Sequence, residues 1–240
     1  MKNLFYFLII ASIGGALFSS CEKIEGTGPI VSEFRNKTDY EGLQISVCGQ
    51  INFKVAPQYS IELRAQRNIL DEIVTKVDGD ALVIKWDKPI RVRNCEDITI
   101  QITGPDLKFI HSSGASDIDV EGAVKHHELD LQQSGAGNID IEHAEITDEI
   151  VAHVSGSGNI KIRSGGAVDE TELFVSGSGN IDFGRLPMDY NTSHVSGSGR
   201  ITVNVLKSLE ALISGSGDVY YYGNPRVTSK ISGSGRVKQL

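Results

Sequence analysis

One six-residue unit recurs seven times along the C-terminal half of the chain, and no other feature of the sequence constrains the fold as tightly. It reads SGASDI from Ser113, SGAGNI from Ser134, SGSGNI from Ser155 and from Ser176, SGSGRI from Ser196, SGSGDV from Ser214 and SGSGRV from Ser232. Successive starts lie 21, 21, 21, 20, 18 and 18 residues apart. A glycine- and serine-rich run is ordinarily a flexible linker. Seven copies at near-constant spacing are instead the mark of a solenoid, each copy holding the same place on successive turns.

Side-chain alternation shows how one copy works. Side chains of an extended segment alternate between two faces, so Val154, Gly156, Gly158, Ile160 and Ile162 share one face, and Ser155, Ser157, Asn159 and Lys161 the other. Val195/Ile201/Val203 and Ile213/Val219/Tyr221 repeat the scheme. Apolar residues point inward at both ends of the unit, and the glycines between them mark a corner where the chain bends or backbones approach closely. At about 3.3 Å per residue, a turn of this length traces about 60–70 Å, which suits three short strands. Within one turn, Ile139/Ile141, Ala144/Ile146 and Ile150/Val154 supply the three inward sets. The expectation is an all-β fold, a single-stranded parallel β-helix solenoid with 18–21 residues per rung and seven rungs over 113–240.

Upstream, 33–112 reads as irregular rungs of the same domain, which then spans 33–240. Ile45, Val47, Gly49, Ile51, Phe53 and Val55 alternate, and Ile61/Leu63, Leu82/Ile84/Trp86 and Ile98/Ile100/Ile102 give further strands. In 68–77 (NILDEIVTKV) apolar residues fall at helical spacing, so a short helix capped by Asn68 is expected to seal the first rung. Asp78-Gly79-Asp80 reads as a turn into the next strand.

The N-terminus reads as a targeting segment. Met1-Lys2 is followed by an apolar stretch from Leu4 to Leu17, too short to span a bilayer and right for a signal-peptide core. Leu17-Phe18-Ser19-Ser20-Cys21 resembles a bacterial lipoprotein box, although Phe18 stands where an aliphatic residue is usual. The expectation is a lipoprotein signal peptide over 1–20, lipidation of Cys21 and a tether over 21–32. That places the protein in the cell envelope, anchored to the membrane by lipid. An ordinary secretory signal cut nearby is the alternative, and either way the chain is exported.

The early strands, the Gly104-Pro105-Asp106-Leu107 step and the serial units resemble the putative auto-transporter adhesin, head GIN domain family of exported Bacteroidetes proteins. Ser134-Gly135-Ala136-Gly137-Asn138-Ile139 shows the signature most clearly. The resemblance spans roughly 34–240. It implies a right-handed coil, which spacing does not show, and an adhesive role, but carries over no binding residues.

Charge and side-chain chemistry narrow the function. A net charge of −8, from 23 basic and 31 acidic residues, argues against a nucleic-acid partner, which needs a basic footprint. Cys48 and Cys95 are free to form a disulfide in an exported chain, or to stay unpaired. In stacked rungs Asp117, Asn138, Asn159, Asn180, Arg200, Asp218 and Arg236 fall in one file, an amide ladder continued by alternating charges. The next outward file puts Asp119 beside Asp140, a like-charged pair that calcium or water has to relieve. His111, His153 and His194 share a file at alternate rungs, roughly 10 Å apart, too far to ligate one ion. No metal or cofactor is therefore expected.

A carbohydrate-active lyase or glycosidase, the rival class on this fold, needs paired carboxylates in a cleft. Only Asp119/Asp140 near Lys161 come close, with no long loops to build one. A non-catalytic binding face for a glycan or a surface protein is expected instead, with Asp119, Asp140, Tyr220 and Tyr222 as its candidates and Tyr221 turned inward. Three residues follow the last unit, so the terminal sheet edge is expected either to self-associate end to end or to be covered by a folded-back tail.

Overall fold

The structure, a computed structural model, describes residues 22–240. The signal peptide expected over 1–20 and the lipidation site Cys21 lie outside that range.

The N-terminal part is a cap made of β1 (Glu22–Ile24), β2 (Ile30–Phe34), β3 (Gly42–Ser46), β4 (Cys48–Val55), β5 (Ser60–Gln66), α1 (Arg67–Leu70), β6 (Ile73–Asp78), β7 (Ala81–Trp86), β8 (Ile90–Val92) and β9 (Thr99–Gly104). The segment expected to be a tether is part of it. β1 pairs in parallel with β8, and β2 pairs antiparallel with β5. The alternation in Ile30-Val31-Ser32-Glu33-Phe34 suits a strand, and β5 offers it a partner.

The helix expected over 68–77 is also corrected. Only Arg67–Leu70 make a turn of helix, with Ile69 and Leu70 buried as a plug. Ile73–Asp78 form a strand that returns antiparallel along β7 through Gly79, whose φ of +59° a two-residue hairpin turn demands. The apolar positions of this stretch satisfy either period, and its β-branched Ile73, Val74, Thr75 and Val77 favour the strand once β7 is alongside. Asn68 caps nothing. Its side chain donates to the Glu25 carbonyl at 2.8 Å and accepts from the Thr27 amide at 2.9 Å, fastening the N-terminal segment to the cap.

From there the chain coils. β10 (Phe109–Ser112), β11 (Ala115–Gln133), β12 (Asn138–Val154), β13 (Asn159–Ile162), β14 (Val168–Val175), β15 (Asn180–Val195), β16 (Arg200–Gly215), β17 (Asp218–Tyr222), β18 (Arg226–Gly233) and β19 (Val237–Gln239) pair in parallel, each with the strand one turn away. The seven units are the corners of about six stacked turns of a β-solenoid. Two register breaks, between Val120 and Ala123 and between His126 and Glu128, mark the other corners of a turn, so each rung has three sides.

One inward file runs Ile100, Ile51, Ile118, Ile139, Ile160, Ile181, Ile201 and Val219 in unbroken register. These side chains are buried, and each stabilises the fold by about 1.5–3 kcal/mol. The corner glycines have a specific reason. A Cβ on Gly158 would lie 2.0 Å from the Gly137 carbonyl oxygen, and one on Gly179 would lie 1.9 Å from that of Gly158. The rungs meet backbone to backbone there, and no side chain fits between them. The C-terminal residues do not fold back: β19 lies in register on β17, and the Leu240 amide donates to the Tyr221 carbonyl.

Candidate functional site

The outward files expected from the spacing are where the solenoid places them. Asn138 donates from Nδ2 to Oδ1 of Asp117 at 2.6 Å, Asn159 to Asn138 at 2.7 Å, and Asn180 to Asn159 at 2.7 Å. Every amide points its donor the same way, and the Asp117 carboxylate ends the series as an acceptor. The charged continuation behaves differently. Arg200, Asp218 and Arg236 follow in register, but Asp218 accepts from the Arg236 backbone amide at 2.9 Å and from the Tyr220 hydroxyl at 3.2 Å. The Arg200 guanidinium lies 5.2 Å from the centre of the Tyr220 ring. Among the described residues neither arginine makes an ion pair with Asp218, whose partners are a backbone amide and a tyrosine hydroxyl. Tyr220 is thereby half-buried and committed to the ladder, whereas Tyr222 is 42% exposed.

Asp119 and Asp140 are neighbours in register. The bridging role weighed for calcium is taken by Arg163, whose Nε and Nη2 donate to the two Asp140 oxygens at 2.7 and 2.9 Å. Nη2 also lies 3.8 Å from Asp119, and Gln50 Nε2 donates to the other Asp119 oxygen at 2.8 Å. Lys161, expected beside this pair, turns instead to Asp182 at 3.5 Å. Arg163 shares the outward parity of Lys161, but its reach, one rung down and along the strand, is not written in any single file. Among the described residues no three of His, Cys, Asp and Glu converge to hold a metal ion. Cys48 and Cys95 form a disulfide, with Cα atoms 5.4 Å apart, that ties the first corner to the 3-10 turn Cys95–Asp97.

A second face, on the strand segment that precedes each unit, escapes a search by motif. His153 stacks on Phe174 with ring centres 4.3 Å apart, and Phe174 on His194 at 4.7 Å. The phenylalanine fills the gap between the two histidines, so the file is an aromatic stack that turns ring edges, not faces, to solvent. Alongside runs an acidic file, Glu128, Glu149 and Glu170 in register. Burial first, and then Glu170 and Glu128, push the Glu149 carboxyl above the usual glutamate range. Burial is the largest influence on the Asp130 carboxyl and raises it, but the hydrogen bond from His111 at 2.8 Å, the hydrogen bond from Gln132 and the charges of His111 and His153 together outweigh it, and the net shift is downward. An acid raised in the folded state costs stability at neutral pH, and the cost fades as pH falls towards its ordinary value. Glu149→Gln is therefore expected to raise the melting temperature at pH 7 and to give no advantage at pH 4. An equal gain at both values, read by thermal unfolding, would show that ionisation of the partly buried, repelled carboxyl is not the cause.

With this geometry in view, similarity to other proteins is informative. The family described as "Putative auto-transporter adhesin, head GIN domain" matches residues 39–225. A putative adhesin from Bacteroides fragilis is 25% identical, with a TM-score of 0.84 over 90% of this chain and 100% of that one. A putative adhesin from Parabacteroides distasonis is 22% identical, with a TM-score of 0.73 over 91% and 100%. A putative lipid binding protein from the same species is 19% identical, with a TM-score of 0.66 over 91% and 100%. The last two speak for the fold alone. No curated protein matches the chain.

Proposed function

The chain belongs to the putative auto-transporter adhesin, head GIN domain family, and from that premise we propose that it is an exported adhesin, held to the cell envelope by a lipid on Cys21 and presenting a non-catalytic surface to a glycan or a surface protein. The observation that carries the reading is the continuity of the outward files. From Asn52 through Asp119, Asp140, Lys161, Asp182, Thr202 and Tyr220 to Lys238, one strand face is lined without a break. Such a wall offers long, regular contact. The carboxylate pair that would suit glycoside chemistry is held by Arg163 and Gln50, which favours a structural role over acid–base work. β1 begins at Glu22 in the cap, so a lipid on Cys21 would set the capped end towards the membrane and the Ser232 corner away from it.

Metabolic labelling with a fatty-acid probe tests the anchor. Label is expected on the wild type and lost in Cys21→Ser, while an unlabelled wild type rejects lipidation. Cells with and without the protein, compared on immobilised polysaccharide and mucin, test adhesion. Equal retention of the two strains would reject the adhesive role.

A further inference from the structure

Where β15 meets β16 the register breaks: Phe183 pairs with Val203, but the next pair is Pro187 with Asn204. Gly184, Arg185 and Leu186 form a bulge. Leu186 turns into the core, fully buried, and Arg185 turns out to solvent. Bulges that re-aim a side chain are over-represented beside functional sites.

This bulge borders a recess of about 560 Å³ lined by Lys161, Asp182, Gly184, Arg185, Thr202 and Tyr222, among others. That volume falls within the range of small-ligand sites. The Tyr222 ring reaches back to Gly184, where a Cβ would stand 3.1 Å from Cε2 of the ring, so the absence of a side chain at Gly184 lets the ring settle there. Asp182 is anchored by the Gly184 amide at 3.2 Å and is only loosely paired with Lys161, at 3.5 Å. Among the described residues the Arg185 guanidinium and the Thr202 and Tyr222 hydroxyls have no hydrogen-bond or ion-pair partner. A half-exposed aromatic ring, an uncommitted guanidinium, a carboxylate and a hydroxyl thus converge on one recess.

We propose that this recess binds a carboxylated sugar unit, of the hexuronic acid type, within an acidic polysaccharide. The inference rests on the adhesive reading above and gives it a ligand. Each group has a counterpart in the sugar. The C–H face of the ring lies against Tyr222. The sugar carboxylate takes a forked pair of hydrogen bonds from Arg185. Ring hydroxyls donate to Asp182 and accept from Thr202. An acidic peptide would satisfy Arg185 but would bring no hydroxyls for Asp182. Charge distribution agrees: from Arg200 onward the chain carries six basic and two acidic residues, against 23 and 31 in the whole. An anion meets a locally favourable field on an otherwise acidic protein.

Isothermal titration of the full chain in detergent, with tri-galacturonate and with neutral galactotriose as probes, tests the proposal. Tri-galacturonate is expected to bind at least about tenfold more tightly than galactotriose, the factor one charge-assisted hydrogen bond supplies. Arg185→Gln and Tyr222→Ala are each expected to weaken it at least about tenfold, with melting temperatures unchanged. Arg91→Gln, which removes an equal charge on the cap, should bind as wild type. Arg185→Gln with unaltered affinity overturns the assignment, as does equal binding of the two sugars. So does binding of poly-glutamate but of neither sugar. If neither sugar binds while cells bearing the protein still adhere to surfaces, the sugar inference fails and adhesion stands. If those cells do not adhere, the adhesive reading fails as well.

Discussion

Gly179→Ala is expected to cost at least about 3 kcal/mol, enough to lower the melting temperature by roughly 10 °C in a chain of this size. The added methyl would sit 1.9 Å from the Gly158 carbonyl oxygen and 2.6 Å from Cγ1 of Val154. Val154 can adjust its rotamer. The carbonyl cannot, because it belongs to the rung below and accepts from the Asn180 amide at 3.3 Å. Relief requires prying two turns apart at their tightest point, which also strains the neighbouring pairs Asn159–Asn180 and Ile160–Ile181. Ser178→Ala is the control: Ser178 is exposed in the same unit, and its change should stay within about 0.5 kcal/mol. If the two variants melt together, the corners are looser than the stacked backbone indicates.

Breaking the Cys48–Cys95 bond is expected to cost about 4 kcal/mol, the chain-entropy value for a closed loop of this length. The loop between the cysteines, 47 residues in sequence separation, contains β5, α1, β6, β7 and β8, most of the cap. A reductant should lower the melting temperature of the wild type and leave the Cys48→Ser/Cys95→Ser double variant, already lowered, where it is. Amide exchange should speed up most in β6 and β7, which the opened loop frees. Wild type that melts alike with and without reductant would mean the cap is held by packing alone.

Much of this architecture is legible in the residues because a solenoid repeats its own evidence. The 18–21-residue period, the inward isoleucines and the asparagine file each recur several times, so one ambiguous position is outvoted by its equivalents. The cap offers no such repetition. Ile73–Asp78 fits a helical or a strand period, and only the hairpin with β7 decides for the strand. Ile30–Phe34 follows a glycine- and proline-containing stretch that reads as tether until β5 is beside it. The pairing of Cys48 with Cys95 depends on where an irregular loop returns, which spacing does not encode.

At the candidate surface the limit was diagonal reach. A file predicts what lies directly above a residue, as with Asp119 and Asp140, but Arg163 arrives from another rung and another position. The bulge at Gly184–Leu186 was hidden for a similar reason. The step from 20 to 18 residues per turn shows that residues are dropped, not which corner absorbs the difference.

The one-way asparagine file has a consequence for how such a protein can change in length. Asn138 and Asn159 each give to the turn beneath and take from the turn above, so the turns of this file present identical terms to a newcomer. Duplicating residues 159–179 in tandem would add a storey whose contacts are already written, leaving every other bond in place. Inserting one residue in the same stretch would turn inside out all that follows up to the next corner. Height is therefore free to drift in whole storeys, and a reach suited to a thicker coat or a more distant surface is one duplication away.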